Sequence, residues 1–248
     1  MTDSLTSDLR SLIPIVILIR PQMGENIGAV ARAMSNFGLS ELRIVAPRDG
    51  WPNPKAVEMS AGAEYIINDT KIYETFAESM ADINIAYATT ARPRNMNKRV
   101  VEPAQAMAEI SARSTDKIAL VFGPERAGIE NEEITLCDSI ITIPTDTKNK
   151  SLNLAQSSVI IGYEWLKANL SNKENSEITN ESPAPKSDIF GMFDQLESYL
   201  DKAEYFRVEQ KKPVMWQNLK NMLLRGNWNE QEIRTFRGML RSLWERSK

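Results

Sequence analysis

The sequence predicts an α/β fold, a mostly parallel sheet with helices on both faces, followed by a small helical extension. Three observations lead there. Short apolar runs alternate with helix-length segments through the first 170 residues, the pattern of strand–helix–strand units. Several of these runs are apolar nearly throughout, as strands buried on both faces require. A polar stretch at 171–187 then breaks the alternation, and only helical periodicity follows it.

Taken in order, the expected strands are 13–19, 42–46, 65–67, 83–88, 117–122 and 140–144. Helices are expected at 27–37, 72–80 and 104–112. In the first helix Ile27, Val30, Met34 and Phe37 mark the inward face, Asn26 is placed to cap the start and Gly38 to close the end. Arg32 falls opposite that stripe, free to face a partner, a phosphate or solvent. A helix after residue 151 carries Leu152, Ala155, Val159, Tyr163 and Leu166 at apolar positions, with Ser151 as its expected cap. Residues 171–187 have no apolar period and include two prolines, so they read as a flexible linker. Beyond them 189–200 and 216–224 look helical. A last helix, capped by Asn229 or a neighbour, runs to about 246 with Ile233, Phe236, Leu240 and Leu243 in a stripe, Trp244 beside it, and Arg234, Arg237 and Arg241 on one flank.

Composition narrows the chemistry. The 248 residues carry a net charge of −3, include one cysteine and contain no histidine. A Ser-His-Asp triad, a histidine base and a cysteine-built zinc cluster are therefore excluded, and no metal site is expected. No eighteen-residue apolar run suggests a membrane span, and Met1–Ser4 is polar, unlike a secretory signal; a cytoplasmic protein is expected. Residues 188–248 hold 11 basic and 9 acidic side chains, too small an excess to point to nucleic acid by itself.

Three segments carry polar residues at strand ends. The first runs from Arg20 through Asn26 and Gly28 to Arg32. The second is Phe122-Gly123-Pro124-Glu125-Arg126-Ala127-Gly128, where glycine lets a ligand approach the backbone and Glu125 lies just behind. The third is Ile143-Pro144 followed by Ser151-Leu152-Asn153-Leu154-Ala155. Each alone reads as an ordinary turn or cap. Together and in this order they resemble the three signature motifs of the SpoU/TrmH branch of the SPOUT RNA methyltransferases. The stretch from Leu224 to Leu240 is also similar to the helical tail of the tRNA cytidine/uridine 2′-O-methyltransferases in that branch, with Phe236 where leucine is expected.

That resemblance implies a SPOUT-type domain over 1–170 with a C-terminal deep trefoil knot, although knots are nearly absent elsewhere. It also implies a 188–248 extension that supports RNA binding and dimer formation. The implied cofactor is S-adenosylmethionine, held by Ala88, Thr89, Thr90, Ala91, Gly123, Ile143, Ser151, Leu152 and Asn153. The implied catalytic set is Arg32, Asn26, Glu125, Ser151 and Asn153, in a site completed across a homodimer. The implied substrate is tRNA, at a cytidine or uridine at position 32 of the anticodon loop. Arg32 is expected to stay cationic and to stabilise the developing alkoxide, since a guanidinium does not give up its proton in proteins. RNA contacts are expected from Arg92, Arg94, Lys98 and Arg99, and from Arg225, Arg234, Arg237 and Arg241 in the tail. The alternatives are an rRNA substrate or a knotted RNA-binding protein without catalysis. A dinucleotide oxidoreductase is disfavoured, because residues 20–28 hold only Gly24 and Gly28 and lack the Gly-x-Gly-x-x-Gly turn.

Overall fold

The computed structural model describes residues 13–91, 98–113, 116–146, 148, 151–172 and 182–246. The chain runs β1 (Ile15–Ile19), α1 (Gly24–Asn36), β2 (Leu42–Val45), α2 (Pro54–Ser60), α3 (Glu64–Asn68), β3 (Lys71–Tyr73), α4 (Phe76–Ser79), β4 (Ile85–Thr89), β5 (Arg99–Val101), α5 (Pro103–Ser111), β6 (Ile118–Phe122), α6 (Asn131–Leu136), β7 (Ser139–Ile141) and α7 (Leu154–Asn172). Helices α8 (Lys186–Lys202), α9 (Lys212–Leu224) and α10 (Glu230–Arg246) follow.

The seven strands form one sheet in the order β3-β2-β1-β6-β4-β7-β5, and every pairing is parallel. Period-two alternation sends Val16 and Leu18 into one core and Ile15, Ile17 and Ile19 into the other. Burial on both faces explains why β1, β2 and β6 lack polar alternation. The exception inside β2 is Arg43, whose guanidinium is satisfied by Glu41, Asp82 and the Ser79 carbonyl.

Two expectations are corrected. Residues 65–67 are not a strand but lie in the short helix α3, with Ile66 and Ile67 buried beneath it. The strand comes later, as β3, within the segment read as helix 72–80. It pairs Arg43 with Lys71 through Val45 with Tyr73, and only Phe76–Ser79 of that segment is helical. An exposed edge strand of three residues has no apolar pattern to reveal it. Strand β5 has no counterpart among the expected strands.

The helical tail has its own core of Met192, Phe193, Trp216, Leu223 and Ile233. It is joined to the sheet domain by a short set of polar contacts. Lys186, fully buried, pairs with Asp138 at 2.7 Å while its backbone N–H donates to Ile83. Gln217 of α9 donates to the Thr135 hydroxyl at 3.1 Å. Most of the segment read as a flexible linker lies outside the described residues, but Ala184 and Lys186 at its end are buried in this junction.

Lys98 lies at the same junction. Its amine donates to the carbonyls of Thr135 and Cys137, and burial pushes its pKa down to about 8 from 10.5. The neutral amine keeps two N–H groups for these two carbonyls. Between about pH 8 and 10.5 the unfolded chain holds a proton that the fold has released, so this group makes stability rise with pH across that window. The urea midpoint of the parent chain is expected to rise relative to that of Lys98→Met from pH 7.5 to 9.5. A constant difference would remove this account of Lys98.

Candidate active site

Strands β6, β4 and β7 are neighbours in the sheet although distant in sequence, and their register sets Thr89 opposite both Phe122 and Ile141. Ligands of open parallel sheets bind beyond such carboxyl ends. Here the chain leaving β4 (Thr89, Thr90, Ala91), the turn after β6 (Gly123 to Glu125) and Ile143 after β7 surround a cavity of about 250 Å³. Ser151, Leu152, Leu154 and Ser157, before and within the first turn of α7, close it.

The turn after β6 needs its glycines. A Cβ on Gly123 would lie 2.4 Å from the Ile129 backbone nitrogen, and Gly128 adopts φ +70°. The Gly128 N–H closes the turn on the Pro124 carbonyl at 2.9 Å. Gly123→Ala is expected to displace this turn and lower cofactor affinity at least tenfold, read by calorimetry. Unchanged affinity would mean that the turn does not form the cavity wall.

The turn aims Glu125 at the start of α1. One carboxylate oxygen accepts the Gln22 backbone N–H at 3.0 Å, and the other accepts the Asn26 side-chain amide at 2.7 Å. The Asn26 oxygen in turn accepts from the Asn153 amide at 3.2 Å. The Asn153 oxygen accepts the Ala155 N–H at 2.8 Å, so the same side chain starts α7 and extends the chain of hydrogen bonds. Each amide has its orientation fixed by its partners. Three segments far apart in sequence thus meet in Glu125–Asn26–Asn153.

Several expected roles change. Asn26 is not the cap of α1; Met23 occupies that position with no side-chain cap bond, and Asn26 lies in the first turn. Ser151 is not the cap of α7 and faces the cavity instead. Thr89, Thr90, Ala91, Gly123, Ile143, Ser151 and Leu152 all line the cavity, whereas Ala88, buried inside β4, and Asn153, bonded to Asn26 and the Ala155 N–H, do not. The helix face expected from Ala155, Val159, Tyr163 and Leu166 is largely turned outward. Leu154, Ser158, Ile161 and Trp165 are buried instead, and Val159, Tyr163 and Leu166 are 43%, 54% and 36% exposed. Gly162 allows this, because a Cβ there would meet the Phe37 ring at 2.6 Å.

Arg32 is exposed on α1 and makes no hydrogen bond or ion pair among the described residues. Six residues beyond Asn26, it is about 9 Å further along the helix and off its face, so the structure does not bring it into the cavity of its own chain. Arg92 and Arg94 lie outside the described residues. Lys98 is corrected: its amine is buried against carbonyls and unavailable to RNA. Arg99 pairs with Glu109. Arg237 is turned toward Gln195, donating to its side-chain oxygen at 2.9 Å, and does not share an open flank with Arg234 and Arg241. Arg225, Arg234 and Arg241 are exposed.

The Gln22 backbone N–H is a site group that the sequence does not reveal, because a main-chain donor leaves no residue-type signal. Arg20, at the start of the first polar segment, bridges Glu133 and Glu130 and so locks the end of β1 to α6 behind the turn, a role that no local pattern marks. Among the described residues no cluster of acidic or cysteine side chains is arranged for a metal, and no helix is long and apolar enough to cross a membrane.

The cavity suits a small nucleoside-like cofactor. Phe122, Ile143, Leu152 and Leu154 give it apolar walls, and its rim has hydroxyls, including a buried Thr89 Oγ1 with no hydrogen-bond partner among the described residues.

The tRNA (cytidine/uridine-2′-O-)-methyltransferase TrmJ of Escherichia coli O6:K15:H31 is 31% identical over 237 residues, covering 94% of this chain and 96% of that one. The crystal structure of TrmJ from Z. mobilis ZM4 superposes with a TM-score of 0.85 at 43% identity, over 93% of this chain and 99% of the other. The SpoU methyltransferase AviRb from Streptomyces viridochromogenes, solved with AdoMet, matches at TM-score 0.53 and 23% identity over 65% of this chain and 60% of its own, a likeness of fold alone. The SpoU rRNA Methylase family matches residues 14–163, the span that contains the whole cavity and its hydrogen-bonded rim. The chain belongs to the SpoU methylase family.

Proposed function

We propose that the chain transfers a methyl group from S-adenosylmethionine to a ribose 2′-hydroxyl of tRNA in the cytoplasm, at a cytidine or uridine at position 32 of the anticodon loop. The observation that carries this reading is the cavity at three strand ends with Glu125, Asn26 and Asn153 hydrogen-bonded at its rim. The names of the curated relatives favour tRNA, and the family description leaves rRNA as the second reading. The loops after β4, β6 and β7 are those that a trefoil knot would bring together, so the knot belongs to the same proposal.

Thr89, Thr90, Ala91, Gly123, Ile143, Ser151 and Leu152 would hold the cofactor. When bound, it supplies a methyl group activated by a positive sulfur, so the protein's task is to position the acceptor. Glu125, fixed by Gln22 and Asn26, orients the ribose at the rim, and Asn153 holds Asn26 in the amide orientation that this needs. Arg32 supplies the positive charge for the developing alkoxide and an adjacent phosphate. Because Arg32 is remote from its own cavity, it serves the site of a second copy.

The surface of α7 supports that dimer. Val159, Tyr163, Leu166 and Leu170 form an exposed apolar stripe beside α1, with Tyr163 set edge-on against Phe37. A second copy of this chain covering the stripe would bury it and carry its own α1 to the site. Tyr163→Asp with Leu166→Asp is expected to give monomers by sedimentation at micromolar concentration and to abolish transfer. A stable active dimer from that variant would refute the arrangement.

Calorimetry with S-adenosylmethionine and its demethylated product, then methyl transfer to bulk tRNA and rRNA with mapping of the 2′-O-methyl sites, tests the whole reading. Binding of neither molecule would overturn the enzyme assignment. RNA binding without cofactor binding would favour the knotted, non-catalytic alternative. Transfer only to rRNA would move the substrate.

A further inference from the structure

We propose that Arg48 is a substrate contact, its guanidinium taking a backbone phosphate of the RNA beside the nucleotide being methylated. This rests on the methyl-transfer reading above and concerns which additional residue holds the RNA. Residues 46–53 join β2 to α2 in a loop that enters with Ala46 at φ 43° and turns at Gly50 with φ 77°. Its backbone is tied to the turn after β1, where the Arg48 N–H donates to the Pro21 carbonyl at 3.2 Å. The next residue in that turn, Gln22, donates its N–H to Glu125. Successive residues of one turn therefore hold the Arg48 loop on one side and the Glu125 carboxylate on the other. The far end of the loop presses on α1, since a Cβ at Gly24 would lie 2.2 Å from the Asn53 side-chain oxygen. The loop has little room to move away from the rim.

Two cations on the adjoining elements are committed elsewhere. Arg20 is held by Glu133 and Glu130, and Lys55 ties α2 to Glu25 of α1. The Arg48 side chain is 55% exposed, and its bonds go to Asp49, the next residue in the chain, at 2.7 and 2.9 Å. Its basicity is raised, first by that hydrogen bond and further down by the charge of Glu125, which fits a guanidinium close to the rim. An ion pair this exposed is weak and readily exchanged. A phosphodiester offers two oxygens in the geometry that a guanidinium fork matches. The ribose 2′-oxygen lies next to its own 3′-phosphate, so an RNA strand presenting the hydroxyl at Glu125 carries phosphates past this loop. Asp49 then acts as a placeholder that the substrate displaces.

The experiment uses the full chain with tRNA as probe. Arg48→Ala is expected to raise KM for tRNA about five- to tenfold, with kcat and the S-adenosylmethionine Kd within twofold of the parent. The slope of log affinity against log salt should become shallower by about 1, the signature of one lost phosphate contact. Arg48→Lys should recover much of the affinity. Asp49→Asn should act in the opposite direction and lower KM. An unchanged KM and salt slope in Arg48→Ala would overturn the proposal, as would KM and cofactor Kd worsening together, which would mean a displaced loop. Direct tRNA binding by parent and variant keeps this test separate: if the parent neither binds cofactor nor transfers methyl, the functional reading fails, while a salt-slope difference still decides the Arg48 contact.

Discussion

Replacing Arg32 by alanine is expected to lower kcat by about 10²- to 10³-fold, the usual loss when one preorganised group that stabilises developing charge is removed. The cofactor Kd should stay within twofold, because Arg32 does not line the cavity. Arg32→Lys separates two forms of the idea. Recovery of most of kcat would mean that a point charge suffices, and a loss like that of alanine would mean that the fork geometry is needed. Exposure of Arg32 away from its own cavity adds a sharper test. Co-expression of Arg32→Ala with Glu125→Gln gives mixed dimers in which one site regains both residues. If Arg32 acts across the interface and the subunits mix at random, about a quarter of parental activity should return. Mixed samples no more active than either variant alone would show that Arg32 serves its own chain.

The largest stability effect is expected at Lys186. Its amine is fully buried, and its partner Asp138 spends its second oxygen on the Ala86 N–H at 2.7 Å. Lys186→Met keeps the apolar stem but strands the carboxylate at the junction between tail and sheet. The expected cost is about 3–5 kcal/mol by urea unfolding, toward the low end because Asp138 retains some solvent access. Adding Asp138→Leu should return a substantial part of that loss, since a buried ion pair replaced as a whole costs far less than one broken in half. A Lys186→Met variant less than about 1 kcal/mol below the parent would mean that the pair contributes little to the junction. Because β4 ends at Thr89 on the cavity wall, the single variant should also weaken cofactor binding.

The readable parts of the sequence were those written in residue type and local period. The runs that became β1, β2, β4 and β6 were apolar because both their faces are covered, and Gly38 closed α1 as expected, at φ 75°. Asn229 capped α10 reciprocally with Glu232, at 2.8 and 2.9 Å. Most residues expected at the cofactor site did line one cavity. What failed were choices between equally good local options. Helix α7 carries two apolar stripes, and nothing local says that Ile161 and Trp165 turn inward while Tyr163 and Leu166 turn out. Lys98 reads as a surface cation beside Arg99, yet its amine donates to backbone carbonyls beneath the tail.

The sequence alone determined an α/β sheet domain with a helical tail, the absence of histidine chemistry, and which turns carry polar groups at strand ends. Those features follow from hydrophobic period, composition and glycine placement, each written within a few residues. It took the packed chain to show that Glu125, Asn26 and Asn153 form one hydrogen-bonded chain, that the tail is held by Lys186 and Asp138, and that Arg32 lies away from its own cavity. Such facts depend on the order β6-β4-β7 and on pairings across 48 to 127 residues, which a local pattern does not encode.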